Sequence, residues 1–344
     1  MSDTAKESNR TKPATRADVA RLAGVSPSVV SFALNKGSGR VAEDTARRVR
    51  EAAALLGYVP NAAARALRRG TSDAIGLLIH DIRNPFYNQI AAEVQQACDR
   101  HGRNLIVATP LGQGARFVPL LMQLDASKLA GIIVTVHLSA ETIDRLLAAG
   151  FSTPVVQLNS NEPLPGAVGL RPGYPGAIDA AFDHLAELGH ESIAFVGPRT
   201  PRALQIQRWE AYHRERGVPR GSYAEVEPTR AGGHDGMRQV LTEGTPTAVF
   251  AGTGLIAVGV MLALQEAGLR VPDDISVLSY DDIPDIQFML PPLTSIRIPV
   301  EEMARDAVDA LISRSPLAEE QRQYTSALIV RGSTSAPNPD RLRR

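Results

Sequence analysis

Residues 15 to 35 constrain this chain more tightly than any other stretch. They read as two short helices with a tight turn between them. Thr15 is placed to cap the first helix, and Asp18 stands three residues on, the spacing of a capping box. Val19, Leu22 and Ala23 share one face at helical spacing. Gly24 supplies a left-handed turn position that a side chain with a Cβ would resist. Ser26 is a good N-cap and Pro27 suits a first helical position. Val29, Val30, Ala33 and Leu34 give the second helix a buried side, leaving Pro27, Ser28, Ser31 and Phe32 on the other. Two helices joined this way form a helix-turn-helix, whose second helix is shaped to enter a DNA major groove.

Charge agrees with that reading. The chain is neutral overall, yet residues 1 to 72 hold 13 Lys and Arg against 6 Asp and Glu. That is a head at +7 on a body at −7. A basic head is suited to phosphate and an acidic body is not. Residues 1–12 are polar and expected to be disordered. Lys36 to Arg40 reads as a flexible loop carrying two cations. A third helix is expected from Glu43 to Leu56, with Val49, Ala53 and Leu56 packing inward. Its cap position holds Ala42, which has no side-chain acceptor; Glu43 and Asp44 offset this through the helix dipole. Gly57 ends it.

Residues 13 to 72 closely resemble the N-terminal region of the LacI/GalR family of bacterial transcription regulators. The resemblance is carried by Asp18-Val19-Ala20, Ala23-Gly24-Val25-Ser26, Val30-Ser31, Leu34-Asn35, Gly57-Tyr58-Val59-Pro60-Asn61 and Ala64-Arg65-Ala66-Leu67. It implies base contacts from Pro27, Ser28 and Phe32, of which the aromatic cannot make a bidentate bond to guanine. It implies phosphate contacts from Ser26, Ser31 and Asn35, with Thr15 and Tyr58 also among the DNA-binding residues. The segment 61–72 then resembles the family's hinge, which folds on the operator beside its copy from a second subunit. There Asn61 and Ala64 belong to the contact surface, Arg65 faces phosphate, and Leu67 matches a leucine that wedges into the minor groove.

From Asp73 the pattern becomes alternating strands and helices. Apolar runs such as Ala74–Ile79, Ile132–Val136 and Ala248–Phe250 suggest buried parallel strands covered by helices. No element is expected between 217 and 247. Two such sets imply two lobes with a ligand cleft at the strand C-termini. Asp81 to Tyr87, Leu188-Gly189-His190, Val271 to Val277, Tyr280-Asp281-Asp282 and Pro291 to Thr294 resemble the family's periplasmic-binding-protein-like effector domain. The expected fold is thus an all-α helix-turn-helix head, 13–60, a hinge, 61–72, and a two-lobed α/β domain, 73–333. Lobe 1 would take about 73–170 and 299–322, lobe 2 about 171–298 and 323–333, before a flexible tail at 334–344.

The resemblance implies effector contacts from Asn84, Phe86, Tyr87, Arg208, Thr253 and Asp281. Two family features are missing. Thr253-Gly254 stands where relatives often have Asn-Asp, and Leu170-Arg171-Pro172-Gly173 where they usually have an Asp-Asn pair. With acids and amides depleted and an arginine gained, the expected effector is not an ordinary neutral sugar. An anion, or no effector at all, remains open.

Gly252-Thr253-Gly254-Leu255-Ile256-Ala257 also satisfies a phosphate-cradling GxGxxA pattern, with Asp273 near the spacing of a ribose-binding acid. The alternative function is therefore an NAD-dependent oxidoreductase. It leaves the basic head unexplained, and no nucleophile–base–acid set is visible. A periplasmic sugar receptor is a further rival, opposed by the polar N-terminus and the helix-turn-helix. No run of about 18 apolar residues suggests a membrane span, and a single cysteine, Cys98, fits a reducing cytoplasm. The reading is a cytoplasmic, nucleoid-associated repressor, not an enzyme, without cofactor or metal. It would bind a palindromic operator as a homodimer, with a tetramer left open, under control of a small-molecule effector.

Overall fold

The structure, a computed structural model, describes residues 14–34, 41–58, 72–136, 138–159, 168–198, 204–313 and 321–338. The chain divides between Ser72 and Asp73 into two units.

The first unit holds α1 (Arg16–Ala23), α2 (Pro27–Leu34) and α3 (Glu43–Leu55). Both halves of the Thr15–Asp18 capping box are present, and Gly24 takes φ 65°. That turn sets α1 and α2 at 97°, the geometry of a helix-turn-helix. Val19, Val30 and Val49 are fully buried and, with Ala20, Ala23, Ala52 and Ala53, form the core. Two inward expectations fail. Leu22 is 53% exposed and Leu56 is 38% exposed; small alanines at 20, 46 and 52 take the inner positions, so the helices approach closely. Ala42 makes no side-chain cap, and Glu43 and Asp44 fill the first turn of α3.

The second unit contains two six-stranded sheets. Sheet 1 comprises β1 (Ala74–Leu78), β2 (Asn104–Ala108), β3 (Gly131–Val134), β4 (Val155–Leu158), β5 (Val168–Pro172) and β11 (Gln321–Tyr324), in the order β11-β5-β4-β3-β1-β2. Every pairing in it is parallel. Sheet 2 comprises β6 (Ile193–Gly197), β7 (Tyr223–Glu225), β8 (Ala248–Ala251), β9 (Ser276–Tyr280), β10 (Thr294–Arg297) and β12 (Ala327–Ile329), in the order β12-β10-β9-β8-β6-β7. Only β12 runs antiparallel to its neighbour. The chain passes between the sheets after β5, after β10 and after β11.

Helices α4 (Pro85–Arg100), α5 (Phe117–Ala126), α6 (Ala140–Ala148) and α11 (Val300–Ser313) accompany sheet 1. Helices α7 (Tyr174–Glu187), α8 (Leu204–Arg216), α9 (Arg230–Glu243) and α10 (Gly254–Glu266) accompany sheet 2. The stretch 217–247, left without elements by the sequence pattern, contains β7 and α9. α9 carries three glycines, and they serve packing: a Cβ on Gly233 would lie 2.1 Å from the Ile256 carbonyl oxygen. From α10, a Cβ on Gly259 would lie 1.9 Å from that of Arg230. The expected flexible tail is anchored at its start. Thr334 Oγ1 lies 2.9 Å from His184 Nε2, and the Ser335 carbonyl accepts from Ser276 Oγ at 3.0 Å. Among the described residues no single helix is long and apolar enough to cross a membrane.

Candidate functional site

The head presents one side of α2. Ser26, Pro27 and Ser28 are exposed, Phe32 is 38% exposed and Ser31 is half-buried. Ser26 Oγ accepts the Val29 N–H at 3.4 Å, tying the start of the helix. Thr15 is engaged in its capping box, its hydroxyl 2.6 Å from Asp18. Tyr58 is half-buried against the head core, and its N–H donates to the Ala53 carbonyl at 2.8 Å. Asn35, Asn61, Ala64, Arg65 and Leu67 lie outside the described residues.

In the second unit, the C-terminal ends of β1, β2, β4, β6, β7, β8 and β9 surround a cleft of about 1080 Å³. Open parallel sheets bind ligands at this end because the loops diverge there and helix N-termini face inward. Asn84, Phe86, Tyr87, Thr253 and Asp281 all line it. Asn84 Oδ1 caps α4 by accepting the Phe86 N–H at 3.0 Å, leaving its amide N–H₂ for a ligand. Thr253 Oγ1 caps α10 by accepting the Ile256 N–H at 3.2 Å. Phe86 and Tyr87 meet edge to face at 5.6 Å, and His80 stacks on Tyr87 at 6.0 Å.

Arg208 is the exception. It is absent from the cleft lining and lies in ion pairs with Asp179 and Asp183 of α7 and Glu215 of its own helix. Gln205, three residues earlier on α8, lines the cleft instead. Arg171 likewise is not a lining residue. The cations that do line the cleft are Arg83 and Arg230. Arg83 is already bound by both carboxylate oxygens of Asp81, at 3.0 and 3.1 Å from its Nε.

The floor joins the two lobes. Tyr174 at the start of α7 and Tyr280 at the end of β9 stack at 5.8 Å. The Tyr280 hydroxyl bonds to that of Tyr174, which donates to Asn159 Oδ1 beyond β4. Asp281 faces this group. It is ringed by protein yet open to the cavity, and burial lifts its carboxyl to about 7. Among the described residues it has no hydrogen-bonding or ionic partner. Burial and the Asp281 charge together push the Tyr87 hydroxyl well above its usual value. Asn159 and Asp281 hold φ of 65° and 81°, a strained region that clusters at binding sites. Sequence reasoning missed Tyr174, Asn159 and Gln205. The signal available to Asn159 and Tyr174 is their place just beyond strand ends: Asn159 follows β4, and Tyr174 follows β5, a short Val-Gly-Leu-Arg-Pro whose glycine and proline hide it as a strand.

The GxGxxA turn does different work from a phosphate cradle. A Cβ on Gly254 would lie 2.7 Å from Ile283, so this glycine admits a side chain of the core. Asp273 pairs with Arg270 at 3.2 Å.

A helix-turn-helix unit followed by a two-lobed domain, whose cleft is lined by aromatic and polar side chains together, defines the class of DNA-binding proteins that carry a receptor-like domain. Residues 15–61 match the bacterial regulatory proteins of the lacI family, and residues 182–334 a periplasmic binding protein-like domain. The ribose operon repressor of Escherichia coli K12 is 36% identical over 330 residues, which span 93% of this chain and 99% of that one. The transcriptional repressor PurR of Haemophilus influenzae PittEE is 32% identical over 346 residues, 94% and 99% of the two chains. A crystal structure of the Lac repressor dimer bound to operator and the anti-inducer ONPF superposes with a TM-score of 0.83 at 29% identity, covering 94% of this chain and all of that one. The chain belongs to the LacI family. It is a DNA-binding transcriptional repressor with an effector domain.

Proposed function

We propose that the protein is a dimeric cytoplasmic repressor whose operator grip is set by a small, neutral, hydroxyl-rich effector in the interlobe cleft. The observation that carries the effector class is the floor of that cleft. An unpartnered Asp281 carboxylate beside tyrosine hydroxyls is a ready acceptor for ligand O–H groups, and Phe86 and Tyr87 offer apolar faces. The charge balance supports neutrality. Asp81, Glu227 and Asp281 face Arg83 and Arg230, and Arg83 is engaged by Asp81. An anionic effector, anticipated from the sequence, would find Arg230 and the inward helix N-termini but would also meet the carboxyl groups of Asp81, Glu227 and Asp281. The ribose operon repressor among the relatives supports a small sugar.

Asn84, Phe86, Tyr87, Thr253, Gln205 and Asp281 are the proposed contacts. Closure on the ligand would draw Asn159 and Tyr174, already bonded across the cleft, into one rigid floor. A ligand shifts the lobes only by preferring one arrangement over the other.

Dimerisation is supported by large apolar side chains left in solvent on both lobes. Ile106 and Val107 on edge strand β2 are 42% and 40% exposed, and Phe288 and Leu290 are 81% and 92% exposed. Apolar surface of this kind marks association sites. Two heads would then read two half-sites related by a two-fold axis.

Calorimetric titration with neutral pentoses and hexoses, sugar acids, sugar phosphates and nucleosides tests the effector class. Heat from a neutral sugar, together with changed operator affinity, supports it. Saturable binding only by anions overturns it.

A further inference from the structure

We propose that Asp282 is the positioning residue of the effector switch: it ties two of the three chain crossings between the lobes to the backbone of Asp281, so that the cleft and the crossings move together. The inference deepens the reading of the cleft as the effector site and rests on it.

The chain crosses between the lobes after β5, after β10 and after β11. Three consecutive residues at the end of β9 gather all three crossings. Tyr280 holds the first, since its ring stacks at 5.8 Å on Tyr174, with which α7 begins. Asp282 holds the second and the third. Arg297, the last residue of β10 before the chain leaves for α11, donates from Nε to Asp282 Oδ2 at 2.6 Å. Arg331, two residues beyond the returning strand β12, donates to the same oxygen at 3.0 Å and pairs with Oδ1 at 2.7 Å. Between Tyr280 and Asp282, Asp281 lines the cleft. The crossings also touch one another: the Gly173 N–H of the first donates to the Tyr324 carbonyl, where the third begins.

Burial makes this clasp stiff. The Asp282 side chain is 3% exposed, and its N–H donates to Ser295 Oγ at 3.1 Å. A buried carboxylate is costly unless it stays paired, so neither arginine can withdraw freely. Asp281 and Asp282 hold φ of 81° and 41°, conformations that persist only where the surroundings impose them. A ligand that displaces Asp281 therefore carries Asp282 with it. On the far side of this step, Asp282 and Arg297 line a second crevice of about 330 Å³, walled by Gln89 and Glu93 of lobe 1 and Pro284 and Gln287 of lobe 2. The clasp thus stands between two interlobe spaces, with room for the crossings to swing.

The test begins with the full-length protein free of ligand. Amide exchange, read by mass spectrometry, follows peptides that cover the three crossings, 169–177, 295–302 and 322–328. In Arg297→Gln all three should exchange about tenfold faster, the worth of one hydrogen bond between charged groups, while β8 is unchanged. Acceleration of 295–302 alone would show a merely local contact and overturn the proposal. Asp282→Asn, which weakens both arms, should enlarge the effect; if that variant does not fold, Arg297→Gln still decides. The second stage uses D-ribose as the probe and a duplex selected from a random library as operator. In the wild type D-ribose should change operator affinity. In Arg297→Gln it should still give binding heat while operator affinity no longer responds. Arg297→Lys, which keeps a charged donor, should restore part of the response, and Arg208→Gln should leave it whole. A full response in Arg297→Gln would overturn the proposal. Absence of D-ribose binding to the wild type would count against the neutral-sugar reading, and the exchange result then judges the clasp.

Discussion

Replacing Asp281 by asparagine should stabilise this protein, and the gain should grow with pH. The folded carboxyl keeps its proton up to about pH 7, against 3.8 for an ordinary aspartate. Between those values the folded state binds more protons than the unfolded one, so this residue's contribution to stability falls as pH rises. It is whole below pH 3.8, drains away up to about 7 and is level beyond. At 1.36 kcal/mol per pH unit the total is roughly 4 kcal/mol, of which about 2–3 kcal/mol is lost between pH 5 and pH 8. Asparagine has the same shape and no charge to bury. For a domain of this size 1 kcal/mol moves Tm by about 2–4 °C, so the advantage of Asp281→Asn over wild type should widen by about 5–10 °C from pH 5 to pH 8. Melting followed by tryptophan fluorescence in matched buffers measures it. Because other titrating groups are common to both proteins, the difference isolates Asp281. Parallel curves for the two proteins across this range would refute the reasoning. Ligand hydroxyls that donate to the ionised carboxylate should reverse the penalty, so wild-type effector affinity rises from pH 6 to pH 8 and that of the variant is weaker and flat.

Arg208→Ala should leave effector affinity unchanged and cost about 1 kcal/mol or less, since its carboxylate partners are solvated; calorimetry and urea titration separate the two effects. Gln205→Ala, in the same helix, should weaken effector binding without loss of stability. Gly259→Ala places a methyl 1.9 Å from the Arg230 carbonyl oxygen and should cost about 3 kcal/mol or more by chemical denaturation. Gly176→Ala on α7 meets nothing within 4 Å and should instead stabilise by about 0.5–1 kcal/mol. Thr15→Ala removes the capping box and should lower head stability by about 1 kcal/mol, seen as faster amide exchange in α1.

Much of this molecule is legible in its residues. The Gly24 turn, the missing cap at Ala42 and the run of buried parallel strands follow from local rules of backbone geometry and apolar spacing. What escapes is set by distant contacts. Leu22 satisfies the helical period yet faces water, because Ala20 allows the closer approach. The glycines of α9 read as helix breakers until α10 is seen lying against them. Strand β11, Gln-Arg-Gln-Tyr, is polar enough to pass for a loop; it is a strand because β5 offers it an edge. Arg208 and Gln205 share a helix, and only the direction of α8 against α7 decides which one lines the cleft.

Lobe 1 is finished by the end of the chain. Helix α11 packs on α4 and β3 so tightly that a Cβ on Gly131 would lie 2.4 Å from Leu311, and β11 closes the sheet only at Gln321–Tyr324. During synthesis, the earliest part of this receptor therefore waits, one flank uncovered, while nearly all of its partner lobe emerges. A ribosome stalled before Leu311 would display an apolar wound on the older lobe, and chaperone capture should peak there and not at the junction between lobes.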